Sequence, residues 1–199
     1  MKCCEAYLEL FEDIFLKIEL SPNLKILRTE LVPAKSVPNP TAQDSCIREI
    51  LDLVSKYIQG HVDADEILPH ILLPQTDSVY TLLAVMSIPR GKVASYAQIA
   101  SIVGSHPRVV GRIVAQNPLP VLIPCHRVVH NDGRLGGYSP RGPNIKKQLL
   151  ELEGVKITPS GRVSRSDFVK DEHLRERFLR ILSLYKKIPE SIPHVREHL

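Results

Sequence analysis

With 199 residues, 43% of them hydrophobic, the chain is long enough to bury one or two cores and too apolar for intrinsic disorder. No uninterrupted apolar run reaches the roughly eighteen residues of a membrane span. The acidic, cysteine-bearing start also lacks the basic-then-apolar plan of a secretory leader, so a soluble, cytoplasmic protein is expected. The formal net charge of +4 names no partner by itself, but its distribution is uneven. Between Asp77 and Asp132 there is no acidic residue, while Arg90, Lys92, Arg108, Arg112 and Arg127 fall in that interval. Such a stretch suits a polyanion and a carboxylate-avoiding core equally well.

In chain order, residues 5 to 33 alternate apolar and polar side chains, with turn signals at Glu12-Asp13 and Ser21-Pro22-Asn23, which predicts a small antiparallel meander. Pro33, Pro38 and Pro40 interrupt it. Asp44-Ser45 then opens an amphipathic helix with Ile47, Ile50, Leu51, Val54 and Ile58 on one face, closed by Gly60. Residues 68 to 74 read as a linker, and Asp77-Ser78 as the cap of a helix through Val79, Leu82, Leu83, Val85 and Met86. Two short helices, Ser95 to Val103 and Arg108 to Gln116, flank a turn at Gly104-Ser105-His106-Pro107; this is a helix-turn-helix, which can bind DNA or simply pack. The proline-rich run from Asn117 to Pro124 is barred from helix and delivers Cys125 at a fixed place. A further helix carries Ile145, Leu149 and Leu152 and ends at Gly154. Leu174, Phe178, Ile181 and Tyr185 mark one more amphipathic helix in the tail.

The four cysteines, Cys3, Cys4, Cys46 and Cys125, follow no paired spacing and would be held reduced inside a cell. Cys125-His126-Arg127 sets a thiol beside two groups that can be cationic, and such neighbours favour the nucleophilic thiolate. Taken alone, the trio reads first as an ordinary buried cysteine with polar neighbours.

The surrounding string, Ile123-Pro124-Cys125-His126-Arg127-Val128, closely resembles the active-site sequence of the O6-alkylguanine-DNA alkyltransferases. The resemblance starts near Tyr80 and takes in Gly91-Lys92-Val93-Ala94-Ser95-Tyr96 and Arg108-Val109-Val110-Gly111. It continues through Asn117-Pro118, Gly137-Tyr138-Ser139 and Leu149-Leu150-Glu151-Leu152-Glu153-Gly154, covering most of residues 78 to 154.

The resemblance implies that Cys125 accepts the alkyl group, His126 draws off its proton through a water, and Glu153 fixes the imidazole tautomer. It implies that Tyr96 donates to N3 of the departing guanine and that Asn117 is the hinge into the active-site segment. Arg108 would fill the space of a base rotated out of the duplex. Gly111 would let its helix approach the minor groove, with Ser95 and Asn131 among the DNA and base contacts. Pro120, the Val128 carbonyl, Tyr138 and Ser139 would line the base pocket. The partner implied is double-stranded DNA containing O6-alkylguanine, met by a monomer in a reaction that occurs once and needs no cofactor. The fold implied is a ribonuclease H-like α/β domain over residues 1–75, then a mostly α, winged-helix-like domain with the helix-turn-helix and active site over 76–160, then a helical extension over 161–199.

The sequence departs from the family pattern in three places. Val109 and Arg112 add bulk to the groove-facing helix, Pro140-Arg141-Gly142-Pro143-Asn144 is one residue longer than the usual loop, and the tail runs well past Gly154. Cys3, Cys4, Cys46, His61 and His70 do not have the spacing of a zinc site, and no metal is expected. Two other readings use the same residues: a non-catalytic alkyltransferase-like module that binds damaged DNA, and a cysteine hydrolase built on Cys125 and His126. The first normally lacks the acceptor cysteine, and the second would need an oxyanion hole for which the sequence gives no sign.

Overall fold

The structure, a computed structural model, describes residues 4–11, 13–38, 45–137 and 143–188. Strands β1 (Cys4–Phe11), β2 (Ile14–Leu20) and β3 (Ile26–Pro33) form an antiparallel sheet in that order, as the alternation predicts. The two-residue period puts Leu16, Ile18 and Leu20 of β2 on the buried face. Helix α1 (Ser45–Gln59) packs across the sheet through Ile47, Ile50, Val54 and Tyr57, and Gly60 ends it at φ +81°. Asp44, expected to open this helix, and Pro40 lie outside the described residues.

The stretch read as a linker is not one. Helix α2 (Ala64–Ile67) precedes it, closed at its start by reciprocal bonds between Asp63 and Glu66. Beyond α2, Leu68, Ile71 and Leu73 are buried, and Leu72 N donates to Ile26 O, which fastens the segment along β3. Alternating apolar side chains drive this docking; the prolines at 69 and 74 signal a linker only when such side chains have nowhere to go. Helix α3 (Ser78–Met86) is buried nearly all round, as its continuous apolar sequence requires. Asp77 does not cap it, because that residue is already in the helical conformation; Thr76 O accepts from Val79 N instead.

Helices α4 (Tyr96–Ile102) and α5 (Pro107–Ala115) meet across a turn in which Gly104 takes φ +63°, a conformation open to glycine at little cost. Two-residue strands β4 (Ala94–Ser95) and β5 (Val128–Val129) pair in parallel and tie the start of α4 to the segment after Cys125. Helix α6 (Pro143–Leu152) buries Lys146, Leu149 and Leu150, while Leu152, expected on its apolar face, is half exposed. Helix α7 (Asp171–Tyr185) lays Leu174, Phe178, Ile181, Leu182 and Tyr185 against the interior and packs on α3. One hydrophobic cluster runs from Ala6 to Tyr185, with a second, smaller one around Val93, Val129, Leu150, Val155 and Val163. The protein is thus mixed α/β, with one three-stranded antiparallel sheet and seven α-helices among the described residues. No helix among the described residues is long and apolar enough to cross a membrane.

Candidate active site

The approach to Cys125 is a closed loop. The Asn117 side chain takes a bond from Leu119 N at 3.0 Å and gives one to Ile123 O at 2.8 Å, so it clasps both ends of the segment. Ile123 N returns to Leu119 O at 2.8 Å, and Val121 is held at φ +77°, a left-handed conformation rare for a β-branched residue. Cys125 opens a single 3-10 turn, Cys125–Arg127, and is 3% exposed.

In that turn successive side chains leave the backbone about 120° apart, yet the imidazole and the guanidinium both reach Glu153. His126, 1% exposed, brings Nε2 to 2.9 Å from Glu153 Oε1. Arg127 gives Nε and Nη2 to the two Glu153 oxygens, both at 2.8 Å, and Nη1 to Ile88 O at 2.6 Å. Burial would raise the Glu153 carboxyl, but the charges and hydrogen bonds of His126 and Arg127 outweigh it and hold it well below the usual carboxylate range. Burial also lowers the His126 imidazole below its ordinary value, and Glu153 offsets this only in part. A neutral imidazole beside a carboxylate gives its Nε2 proton to that carboxylate, which leaves Nδ1 as a basic lone pair. That nitrogen is buried and has no hydrogen-bond partner among the described residues.

Arg127 therefore binds Glu153 through both of its carboxylate oxygens. A cation whose charge couples to Cys125 is Lys146 of α6, fully buried, with Nζ 2.6 Å from Val128 O. Burial pulls its pKa down to about 8 against the opposing charge of Cys125. Sequence reasoning missed this residue, since a lysine on a helix normally reads as solvated. The available signal was its spacing of three and four residues from the buried Leu149 and Leu150.

Tyr96 is the first residue of α4. Burial and the nearby Cys125 charge push its phenol up, so it is a protonated donor. Its ring lies 5.5 Å from the ring of His130, tilted 58°. A side chain at Gly111 of α5 would begin only 3.9 Å from the Tyr96 ring. Gly136, at φ +72°, passes so close to His130 that a Cβ would lie 2.9 Å from its Nε2. Ser95, expected at the DNA surface, is fully buried and accepts from Gln98 N, which fixes the start of the helix carrying Tyr96. Arg108, Val109 and Arg112 are exposed on α5, and His106 caps that helix through Arg108 N. Pro120 is buried, Asn131 is exposed, and the Val128 carbonyl accepts from Lys146. Tyr138 and Ser139 lie outside the described residues, as do Cys3 and residues 140–142 of the longer loop. No cluster of three or more His, Cys, Asp or Glu side chains suited to a metal occurs among the described residues.

Against this geometry, a family model described as the DNA binding domain of 6-O-methylguanine DNA methyltransferase matches residues 76–155. The methylated-DNA–protein-cysteine methyltransferase of Saccharolobus solfataricus is 42% identical over 122 residues, which span 61% of this chain and 78% of that protein. The Mycobacterium tuberculosis O6-methylguanine methyltransferase structure is 26% identical with a TM-score of 0.59, covering 76% of this chain and 93% of that one. Mycobacterium tuberculosis OGT in complex with DNA is likewise 26% identical, with a TM-score of 0.55 over 80% of this chain and 92% of that one. The fold is that of a DNA-repair alkyltransferase. The chain belongs to the methylated-DNA–protein-cysteine methyltransferase family.

Proposed function

We propose that the protein repairs DNA by moving an alkyl group from O6 of guanine to the sulfur of Cys125, irreversibly and once per molecule. The observation that carries this reading is the buried Cys125-His126-Glu153 arrangement, in which Glu153 occupies Nε2 and leaves Nδ1 basic. Nδ1 takes the thiol proton through a water. The thiolate then attacks the sp3 carbon, the carbon–O6 bond breaks, and its electron pair passes into the guanine ring. Tyr96 donates its phenolic proton at N3, so guanine leaves neutral and stays in the DNA. An SN2 displacement at saturated carbon forms no oxyanion, and the site needs no oxyanion hole.

The substrate of this reading is double-stranded DNA containing O6-alkylguanine, bound by a monomer in the cytoplasm. The target base must leave the stack to reach a thiol that is 3% exposed. Arg108, exposed near the start of α5, fills the vacated space, and Gly111 lets α5 enter the minor groove. Asn131, Tyr138, Ser139, Pro120 and the Val128 carbonyl receive the extruded base and its flanks, while Ser95 acts by holding α4. Residues 1–75 form a ribonuclease H-like domain, 76–160 a winged-helix-like domain, and 161–199 an extension.

Intact-protein mass after exposure to a duplex oligonucleotide carrying O6-methylguanine tests the reading. One methyl group gained by the protein and none by Cys125→Ala is expected. An unmodified protein that still binds the lesion would instead mark a damage-binding module.

A further inference from the structure

Pro118, Pro120 and Pro124 supply no N–H to the active-site approach loop, whose internal bonds come from Asn117, Leu119 and Ile123. Yet it holds Val121 in a conformation that a β-branched residue adopts only when its surroundings impose it. Three carbonyls of this loop, at alternate positions, are gripped from the N-terminal part of the chain. Thr29 N donates to Pro118 O at 3.1 Å, Thr29 Oγ1 to Pro120 O at 2.8 Å, and the Tyr57 hydroxyl to Leu122 O at 3.0 Å. Both donors are buried. Thr29 occupies an inward position of β3, two residues before Leu31, where the alternation calls for an apolar side chain. Tyr57 lies on the apolar face of α1, and burial holds its phenol as a donor with a pKa pushed up to about 12. A buried hydroxyl is costly unless it is bonded, and each of these finds its partner on the same loop on either side of Val121.

We propose that Thr29 and Tyr57 are positioning residues for the alkyl transfer, holding the 118–124 loop so that the Cys125 sulfur lies in line with the carbon–O6 bond. The proposal rests on Cys125 being the acceptor, as argued above. Neither residue touches the substrate; they act through the carbonyls of Pro120 and Leu122 and the strained turn between them. This also gives the N-terminal sheet and helix a share in the reaction, although the match to the family model begins only at residue 76. In-line displacement is sensitive to placement, and a shift of about 1 Å can cost on the order of 100-fold in rate. Loss of one bond from a loop held by several others should therefore cost about ten-fold.

The test compares Thr29→Val, Thr29→Ser and Tyr57→Phe with the parent. Each is assayed for single-turnover transfer from a saturating methylated duplex and from free O6-benzylguanine, and for duplex affinity and thermal melting. Thr29→Val keeps the shape and the backbone bond but removes the hydroxyl; Tyr57→Phe removes only the phenolic oxygen. The expected result is a similar slowing of both transfer reactions in these two variants, unchanged duplex affinity, and recovery in Thr29→Ser. Parental transfer rates in folded Thr29→Val and Tyr57→Phe would overturn the proposal, as would Thr29→Ser that is as slow as Thr29→Val. If one variant fails to fold, the other decides. A parent protein whose Cys125 is never alkylated would instead refute the proposed function, so the two failures are distinguishable.

Discussion

Glu153 receives the His126 imidazole and, with both oxygens, the Arg127 guanidinium. Replacing it by glutamine leaves a buried guanidinium without its counter-charge and removes the group that fixes the imidazole proton on Nε2. Breaking a buried pair this way costs about 3–5 kcal/mol. Glu153→Gln should therefore melt well below the parent and lose most of its transfer activity. Acid adds a second signature. The Glu153 carboxyl is held below its usual 4.5 and His126 below its usual 6.5, so the stability each contributes is present above those values. It is lost as pH falls through them, because the unfolded chain then binds protons that the folded one refuses. Melting temperature against pH should fall on acidification from about 6.5 in the parent, with a shallower fall below about 4.5 in Glu153→Gln.

Lys146 is the counterpart on the other side of the thiol, with its pKa lowered to about 8 from 10.5 by burial. Between those values the unfolded chain carries a proton that the folded chain has shed, so stability rises with pH across that window. The melting temperature of the parent relative to Lys146→Met should climb from about pH 8 to 10.5, and a flat difference would place this ammonium in solvent. At neutral pH the same substitution removes a positive charge beside Cys125 and should slow modification of the thiol by a neutral alkylating reagent. Neither Lys146 nor Thr29 was legible in the sequence. Both are polar residues at inward positions, and what justifies them is a carbonyl far along the chain: Val128 O for Lys146, and Pro118 O and Pro120 O for Thr29.

At the scale of elements, the meander, α1, the helix-turn-helix and α7 follow from periodicity and from glycine and proline punctuation, which are local properties. The elements that were missed depend on distant neighbours. Leu68, Ile71 and Leu73 become buried because β3 offers their segment an edge, and Asp77 loses its capping role because the chain is already helical when it arrives. Helix α5 shows what the local reading can deliver for function. Gly111 lies mid-helix, where alanine is favoured by about 0.5–1 kcal/mol, and an added Cβ meets nothing closer than the Tyr96 ring at 3.9 Å. Gly111→Ala should therefore stabilise the DNA-free protein while weakening duplex binding, if this face of α5 enters the minor groove. Thermal melting and fluorescence anisotropy on the same variant would separate the two effects, and undiminished duplex affinity would place the DNA on another face.

The whole molecule is laced together around the site. Arg177 of α7 bonds both Asp63, just before α2, and Ser87 O, just after α3; Arg180 pairs with Asp65, and Gln98 of α4 reaches Asp171 and Val169 O. Cys125 belongs to the single large cluster running from Ala6 to Tyr185, so a change of volume at its sulfur is felt by one continuous core. Alkylation is such a change. It turns an ionisable thiol into a thioether, removes the charge that Cys125 can set against Lys146, and adds carbon to a site with 3% exposure. Its walls are pinned by the Asn117, Thr29 and Tyr57 bonds. Overpacking of this kind costs about 1–3 kcal/mol, a sizeable part of a domain's margin. The protein should therefore melt at a lower temperature once methylated and lower still once benzylated, in a single transition because the core is shared. Calorimetry of the unmodified, methylated and benzylated forms would measure this directly; a benzylated form that melts with or above the unmodified one would mean that the loop yields to its product without strain.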